Sequence, residues 1–303
     1  MNTPSVVLAL VAGAALAADP LRVVVLDFED QTGQKADAEL GGAVEMKALT
    51  QKCVPALARA LANQPEFALV DRREFLSQIA RETTADGPQV SFLRAAQIVN
   101  ADLVLRGAIQ ALSVGKTAVR QGGYNVDFST LTLRVGIEAL DAVDGSIVAA
   151  ATGAAQKQVR QTENLQTVLG EAELAAMLDE AIAAVLPQLR SVLARRAEVV
   201  RSRPIARLNV RTSADPALVE IDGVLVGTTP LENLRVYHGD HTLVVGRAGY
   251  RDIRKRIRID RDLQIEVPMI RTELTADELK EVLDKARVNA IIGEPGLTIL
   301  PLQ

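Results

Sequence analysis

Enzymes need a nucleophile beside its base, a metal-binding cluster or a phosphate cradle, and this 303-residue chain is poor in all three. It contains one Cys and two His. That scarcity removes the raw material for a zinc site, a disulfide framework and most His-dependent catalysis. No G-x-S-x-G, Walker loop or H-E-x-x-H occurs in the chain. His238 and His241, with Asp240 between them, have the residue types of a metal site. In a strand, however, the two His point to opposite faces, and no third ligand is near, so no metal is expected. Asp27, Glu29 and Asp30 follow the first strand, where α/β folds often place active sites. With no His or Lys at a defined spacing, they read as a solvated acidic loop. The sequence therefore predicts no catalytic residue and no cofactor.

One cluster remains. Arg251, Arg254, Lys255, Arg256, Arg258 and Arg261 are either an anion-binding stripe or a solvated strand edge guarded by charge. The distribution of charge bears on that choice. Residues 190–261 carry 15 Lys and Arg against 8 Asp and Glu, a net +7, and the rest of the chain carries 19 against 30, a net −11. An acidic body is joined to a basic module.

Around these residues the composition is globular, with 48% hydrophobic and 24% charged residues, and the length suits two domains. Aromatic residues make up 3%, with no Trp, which disfavours base- or sugar-stacking sites. Residues 6–18 form a small, apolar run too short to span a bilayer and suited to a signal peptide. Ala15 and Ala17 occupy the cleavage positions. Export to the periplasm or envelope, cleavage after Ala17 and a mature chain without a transmembrane segment are expected. Export disfavours nucleic-acid binding. The lone Cys53 lies in a helical pattern and reads as buried core.

Apolar spacing then gives the elements. Residues 22–28 read as a buried strand, 40–62 as a helix bent at Pro55, and 67–70 as a short strand. Asp71 and Glu74 have capping-box spacing for a helix reaching about Glu82. Residues 90–99 read as a helix, 101–111 as a strand and 124–140 as an alternating antiparallel strand. The turn Asp144-Gly145 leads into a strand over 146–159, and a helix follows from Glu171 to about Val200.

V-V-L-D-F-E-D-Q-T-G from Val24 to Gly33, F-A-L-V-D-R-R-E-F-L-S-Q-I from Phe67 to Ile79 and A-D-L-V-L-R-G from Ala101 to Gly107 resemble the signature segments of the CsgG-like family, the curli-secretion channel group and its periplasmic relatives. The resemblance implies an α/β (α+β) domain at the cell envelope, with helices packed on a mixed sheet. Two features of the channel-forming members are missing. There is no lipid-anchoring Cys, and Tyr124 and Phe128 are the only aromatics between residues 100 and 200, too few for the girdles of a membrane barrel.

Beyond a basic linker at 195–205 the period changes to strand. Strands are expected around Leu208 and Val210, on both sides of Asp222-Gly223, and over 241–245, 253–259 and 263–269. Val219, Ile221, Asp222, Gly223, Val226, Gly227, Thr229 and Pro230, followed by Gly239, His241, Val244, Gly249 and Tyr250, resemble a PEGA domain over 206–270, with A-D-P-A at 214–217 replacing the namesake tetrapeptide. That resemblance implies a small all-β sandwich acting as an interaction module. A capping box at Thr275 and Glu278 opens a C-terminal helix, and an apolar tail ends the chain within residues 271–303. That tail packs on its own chain or on a partner.

The expected arrangement is a signal peptide (1–17), a CsgG-like domain (18–194), the linker, the PEGA module and the C-terminal segment. The function expected from it is that of a non-catalytic envelope scaffold. Its first domain docks on a protein partner or assembles with copies of itself, and its second meets an envelope protein, an anionic polymer or a lipid surface. The alternative is a subunit of an outer-membrane secretion or pore assembly related to curli export.

Overall fold

The computed structural model describes residues 19–33, 46–82, 91–121, 124–161 and 171–272. The expected signal peptide, the C-terminal helix and the apolar tail lie outside the described residues. In chain order the elements of the first part are β1 (Leu21–Asp30), α1 (Met46–Ala62), β2 (Phe67–Leu69), α2 (Arg72–Glu82), α3 (Phe92–Ile98), β3 (Leu103–Gln121), β4 (Tyr124–Asp141), β5 (Ile147–Gln161) and α4 (Glu171–Ser202). The second part is all strand: β6 (Ile205–Thr212), β7 (Leu218–Ile221), β8 (Val224–Thr228), β9 (Leu231–Tyr237), β10 (Gly239–Gly246), β11 (Ile253–Ile259) and β12 (Leu263–Val267). A mixed α/β region thus precedes a β-sheet region.

The chain divides into two compact units, the first built from residues 1–76, 98–142 and 146–198. Its sheet has the order β2-β1-β3-β4-β5, with β1 parallel to β2 and β3 and the last three strands antiparallel. The alternation expected in β4 is present: Leu131, Leu133, Val135, Ile137 and Ala139 are all buried. On the same face β5 presents Ala149, Ala151, Gly153 and Ala155 opposite those residues. Small residues there let α4 approach closely, and a methyl on Gly153 would lie 2.0 Å from the Ala181 carbonyl oxygen. α4 answers with Leu174, Leu178, Ile182, Val185 and Leu189, all buried.

Three boundaries differ from the sequence expectation. β1 runs on through Glu29 and Asp30 because its ladder with β3 continues to the pair Asp30 and Ile109. β3 runs past Ala111 to Gln121 because its ladder with β4 continues to the pair Gln121 and Tyr124. Backbone pairing extends that strand where apolar alternation has already stopped. α4 continues to Ser202 through most of the stretch read as a linker. Arg and Ala are good helix formers, so a charged stretch that resembles a linker in composition is also a sound helix, and it stops before Pro204.

The second unit takes residues 77–97, 143–145 and 199–303. Its strands form two sheets, β11-β10-β7-β8 and β12-β6-β9. One core draws on both, with Leu208, Val210, Leu234 and Val236 from one sheet and Val219, Ile221, Leu243, Val245 and Ile259 from the other. The β7–β8 hairpin turns at Asp222 and Gly223, both at positive φ (53° and 82°), the geometry for which Asp-Gly is suited.

Candidate functional site

The signature residues of the first unit hold its sheet together. β1 shifts register against β3 between Val25 and Phe28, which leaves a carbonyl to be satisfied. Arg72, at the start of α2, fills that need: its guanidinium donates to the Val25 carbonyl (3.1 Å) and to Asp27 (2.7 Å). Beyond the shift, the Phe28 ring lies over Gly107 of β3, where a methyl would meet it at 2.3 Å. At the other end of β1, the Arg22 amide donates to Asp102 (2.9 Å) while its guanidinium reaches the carbonyls of Asn100 and Val99. Asp71 caps α2 by accepting from the Arg73 amide at 2.8 Å. These ties link all three segments.

The acidic residues read as a loop instead end β1, where Glu29 pairs with Ala108 and Asp30 with Ile109, and they are in structural use. Asp30 accepts from the Thr32 amide and hydroxyl (3.0 and 2.7 Å), and Glu29 accepts from Gln31 at 3.3 Å. Cys53 is fully buried, and burial pushes its thiol up to about 12. Among the described residues there is no group of three His, Cys, Asp or Glu able to hold a metal ion. The ring nitrogens of His241 instead face Asp222 (2.6 Å) and the Tyr237 carbonyl (2.9 Å). Asp222 also accepts from the Thr242 amide at 2.7 Å, so the pair staples the β7–β8 turn to β10. His238 lies between β9 and β10 and contributes its backbone amide to the Pro204 carbonyl.

The A-D-P-A stretch keeps a defined turn. Asp215 accepts from the Thr212 hydroxyl (2.7 Å) and amide (3.2 Å), while the buried Thr229 hydroxyl accepts from the Ala217 amide at 2.9 Å. Burial raises the Asp215 carboxyl, but hydrogen bonds involving Thr229 and Thr212, with the Arg211 charge, outweigh it and hold the carboxyl below its usual range.

The basic cluster lies along an edge. β11 is the outer strand of its sheet, and Arg254, Lys255, Arg256 and Arg258 are all exposed. The register places Arg254 beside Val244, Arg256 beside Thr242 and Arg258 beside Asp240, on the face away from the core. Lys255 lies apart from these three. It pairs with Leu243, so it shares the core face with Ile253, Ile257 and Ile259, and it reaches solvent only because the strand is an edge. Arg251 precedes β11 and Arg261 follows it, both exposed. None of the six cations has an ion-pair partner among the described residues. The site is a row of three guanidiniums at alternate positions, about 7 Å apart at strand rise, flanked by three further cations. Alternation with Ile253, Ile257 and Ile259 locates the row and also sets Lys255 on the opposite face, and the pairing with Leu243 agrees.

Among the described residues no helix is long and apolar enough to cross a membrane. The family model described as the curli production assembly/transport component CsgG matches residues 6–176, and the PEGA domain model matches residues 205–271. Among curated proteins, none matches this chain. Similar solved structures include the PelC dodecamer from Paraburkholderia phytofirmans, at 16% identity and a TM-score of 0.28, covering 57% of this chain and 91% of that one. The lipoprotein GNA1162 from Neisseria meningitidis is 12% identical with a TM-score of 0.32, covering 59% and 99%. The LpoB C-terminal domain from Salmonella enterica is 16% identical with a TM-score of 0.29, covering 48% and 88%.

Proposed function

This chain belongs to the CsgG family and carries a PEGA domain behind the family segment, and from that premise we propose that it is a non-catalytic scaffold or assembly protein of the cell envelope. It is exported, with cleavage after Ala17, so mass spectrometry of envelope fractions should recover a chain beginning at Ala18. Its CsgG-like part docks on a protein partner or assembles with its own copies. Its PEGA module tethers it to an anionic envelope polymer or lipid head-group surface.

The observation that carries this reading is the row Arg254, Arg256 and Arg258 on the outer side of an exposed edge strand, without ion-pair partners among the described residues. Residues 205–271 carry 11 Lys and Arg against 9 Asp and Glu, a net +2, so the attraction to a negative surface comes from the gathering of cations on and beside β11 and not from the net charge of the module. Such a tether is long-range and weak per contact. Its strength should fall as added salt shortens the Debye length from about 10 Å at 0.1 M to about 3 Å at 1 M. Co-sedimentation of the whole chain with anionic vesicles and with isolated cell-wall sacculi, at both salt concentrations, tests it. Binding at low salt that is lost at high salt supports the tether. Salt-independent binding, or none at low salt, overturns it and leaves the module a protein-docking role.

One observation favours the second reading, a subunit of an outer-membrane secretion or pore assembly. β3 and β4, of 19 and 18 residues, exceed the roughly 9 to 11 residues a barrel strand needs to cross a bilayer. Yet Tyr124 and Phe128 are the only aromatics between residues 100 and 200, too few for the girdles that flank a lipid-facing band. Size exclusion with and without detergent separates the two, because a pore subunit requires detergent or forms large rings.

A further inference from the structure

The four outer edges of the two sheets in the second unit are protected in different ways. Exposed edges invite pairing with another chain, and short strands or charges discourage it. β8 and β12 are five residues each. β11 carries four cations. β9 has neither protection: it is seven residues long, and its only charges, Glu232 and Arg235, cancel.

Side chains cover β9 instead. Arg94 of α3 donates to the Glu232 carbonyl (2.5 Å) and the Asn233 carbonyl (3.5 Å). One turn along the helix, Gln97 accepts from the Arg235 amide (2.8 Å) and donates to the Arg235 carbonyl (3.2 Å). The His241 ring lies 2.9 Å from the Tyr237 carbonyl. Gln97 is only 5% exposed, and its amide nitrogen also donates to the Val143 carbonyl at 3.3 Å. A carboxamide that gives a donor and an acceptor to one strand residue reproduces what the peptide of a neighbouring strand supplies. It blocks the edge without offering a new one, because a side chain has no further ladder to extend.

We propose that Arg94 and Gln97 form a latch that keeps β9 from pairing with a second copy of this chain, and that displacement of α3 turns this edge into a strand acceptor. A second copy is the occupant because an antiparallel pair of identical edges is self-complementary and closes on itself. With one acid and one base per strand, two copies of β9 carry no net repulsion, whereas two copies of β11 would repel each other.

The test uses the full chain with Arg94→Met and Gln97→Met together, which keep an unbranched side chain at each position and remove the bonds to Glu232, Asn233 and Arg235. Exchange of the Arg235 amide should become at least about tenfold faster, as for one lost buried hydrogen bond. Sedimentation velocity should show a dimer, absent from the unmodified chain, whose fraction rises with concentration. Adding Glu232→Lys to this double variant places two positive charges on the edge and should abolish that dimer while exchange stays fast. If the double variant does not fold, Arg94→Met with Gln97→Asn, which withdraws the carboxamide by one methylene, carries the same expectations. Unchanged exchange at Arg235, fast exchange without a new dimer, or a dimer insensitive to Glu232→Lys each overturns the latch.

Discussion

Placing a methyl on Gly107 tests whether the signature segments of the first unit serve packing. The added carbon would lie 2.3 Å from two atoms of the Phe28 ring and 2.6 Å from a third. Carbon atoms in contact sit about 3.5 to 4.0 Å apart, so the ring must retreat by more than an ångström, and Phe28 is 6% exposed. Overpacking of this kind costs about 1–3 kcal/mol. Phe28→Ala alone opens a cavity and should cost about 3–5 kcal/mol. In the double variant the clashing ring is gone and the methyl occupies part of the space it left. The combined loss should therefore fall short of the sum by at least about 1 kcal/mol. Urea unfolding followed by circular dichroism on the four proteins gives the coupling directly. Single losses that add to within about 0.5 kcal/mol would refute the stacking of Phe28 on Gly107.

Gly153→Ala should be at least as damaging as Gly107→Ala, about 2 kcal/mol or more, because the obstructing atom is the Ala181 carbonyl of α4 and backbone yields less than a ring; thermal unfolding reads this out. Cys53, with its thiol pushed up to about 12, should resist a thiol reagent at pH 8 in the folded chain and react once urea unfolds it. Asp215 has a carboxyl held below its usual range, so its contribution is present above about pH 4 and lost as pH falls through the folded value. Asp215→Asn should flatten the pH dependence of stability below pH 4, and an unchanged profile would contradict the turn assigned to Asp215.

Strong periodicity made much of this molecule legible in its residues. The inward residues of β4, the stripe of α4, the burial of Cys53 and the Asp222-Gly223 turn all follow from spacing or from a residue's backbone preference. β9 was missed because Leu231 to Tyr237 does not alternate. Its register with β6 shifts between Leu208 and Val210, and Asn233 takes a positive φ of 54°. A bulged strand loses the period-two signal while keeping its place in the sheet. The cationic row is visible as a cluster, and alternation from Ile253, Ile257 and Ile259 already separates Arg254, Arg256 and Arg258 from Lys255, as the pairing of Lys255 with Leu243 shows. Gln97 had no sequence signal, since an amide that substitutes for a peptide can be recognised only when the strand it meets is known.

Moving the same charge change to another part of the chain tests the proposed tether most directly. Reversing Arg254, Arg256 and Arg258 to Glu should abolish sedimentation of the whole chain with anionic vesicles or sacculi at 0.1 M salt. Reversing Lys47, Arg73 and Arg134, exposed cations elsewhere, changes net charge by the same amount and should leave most binding in place. Equal losses from the two triple variants would show that overall charge, and not the row on β11, holds the protein to the surface.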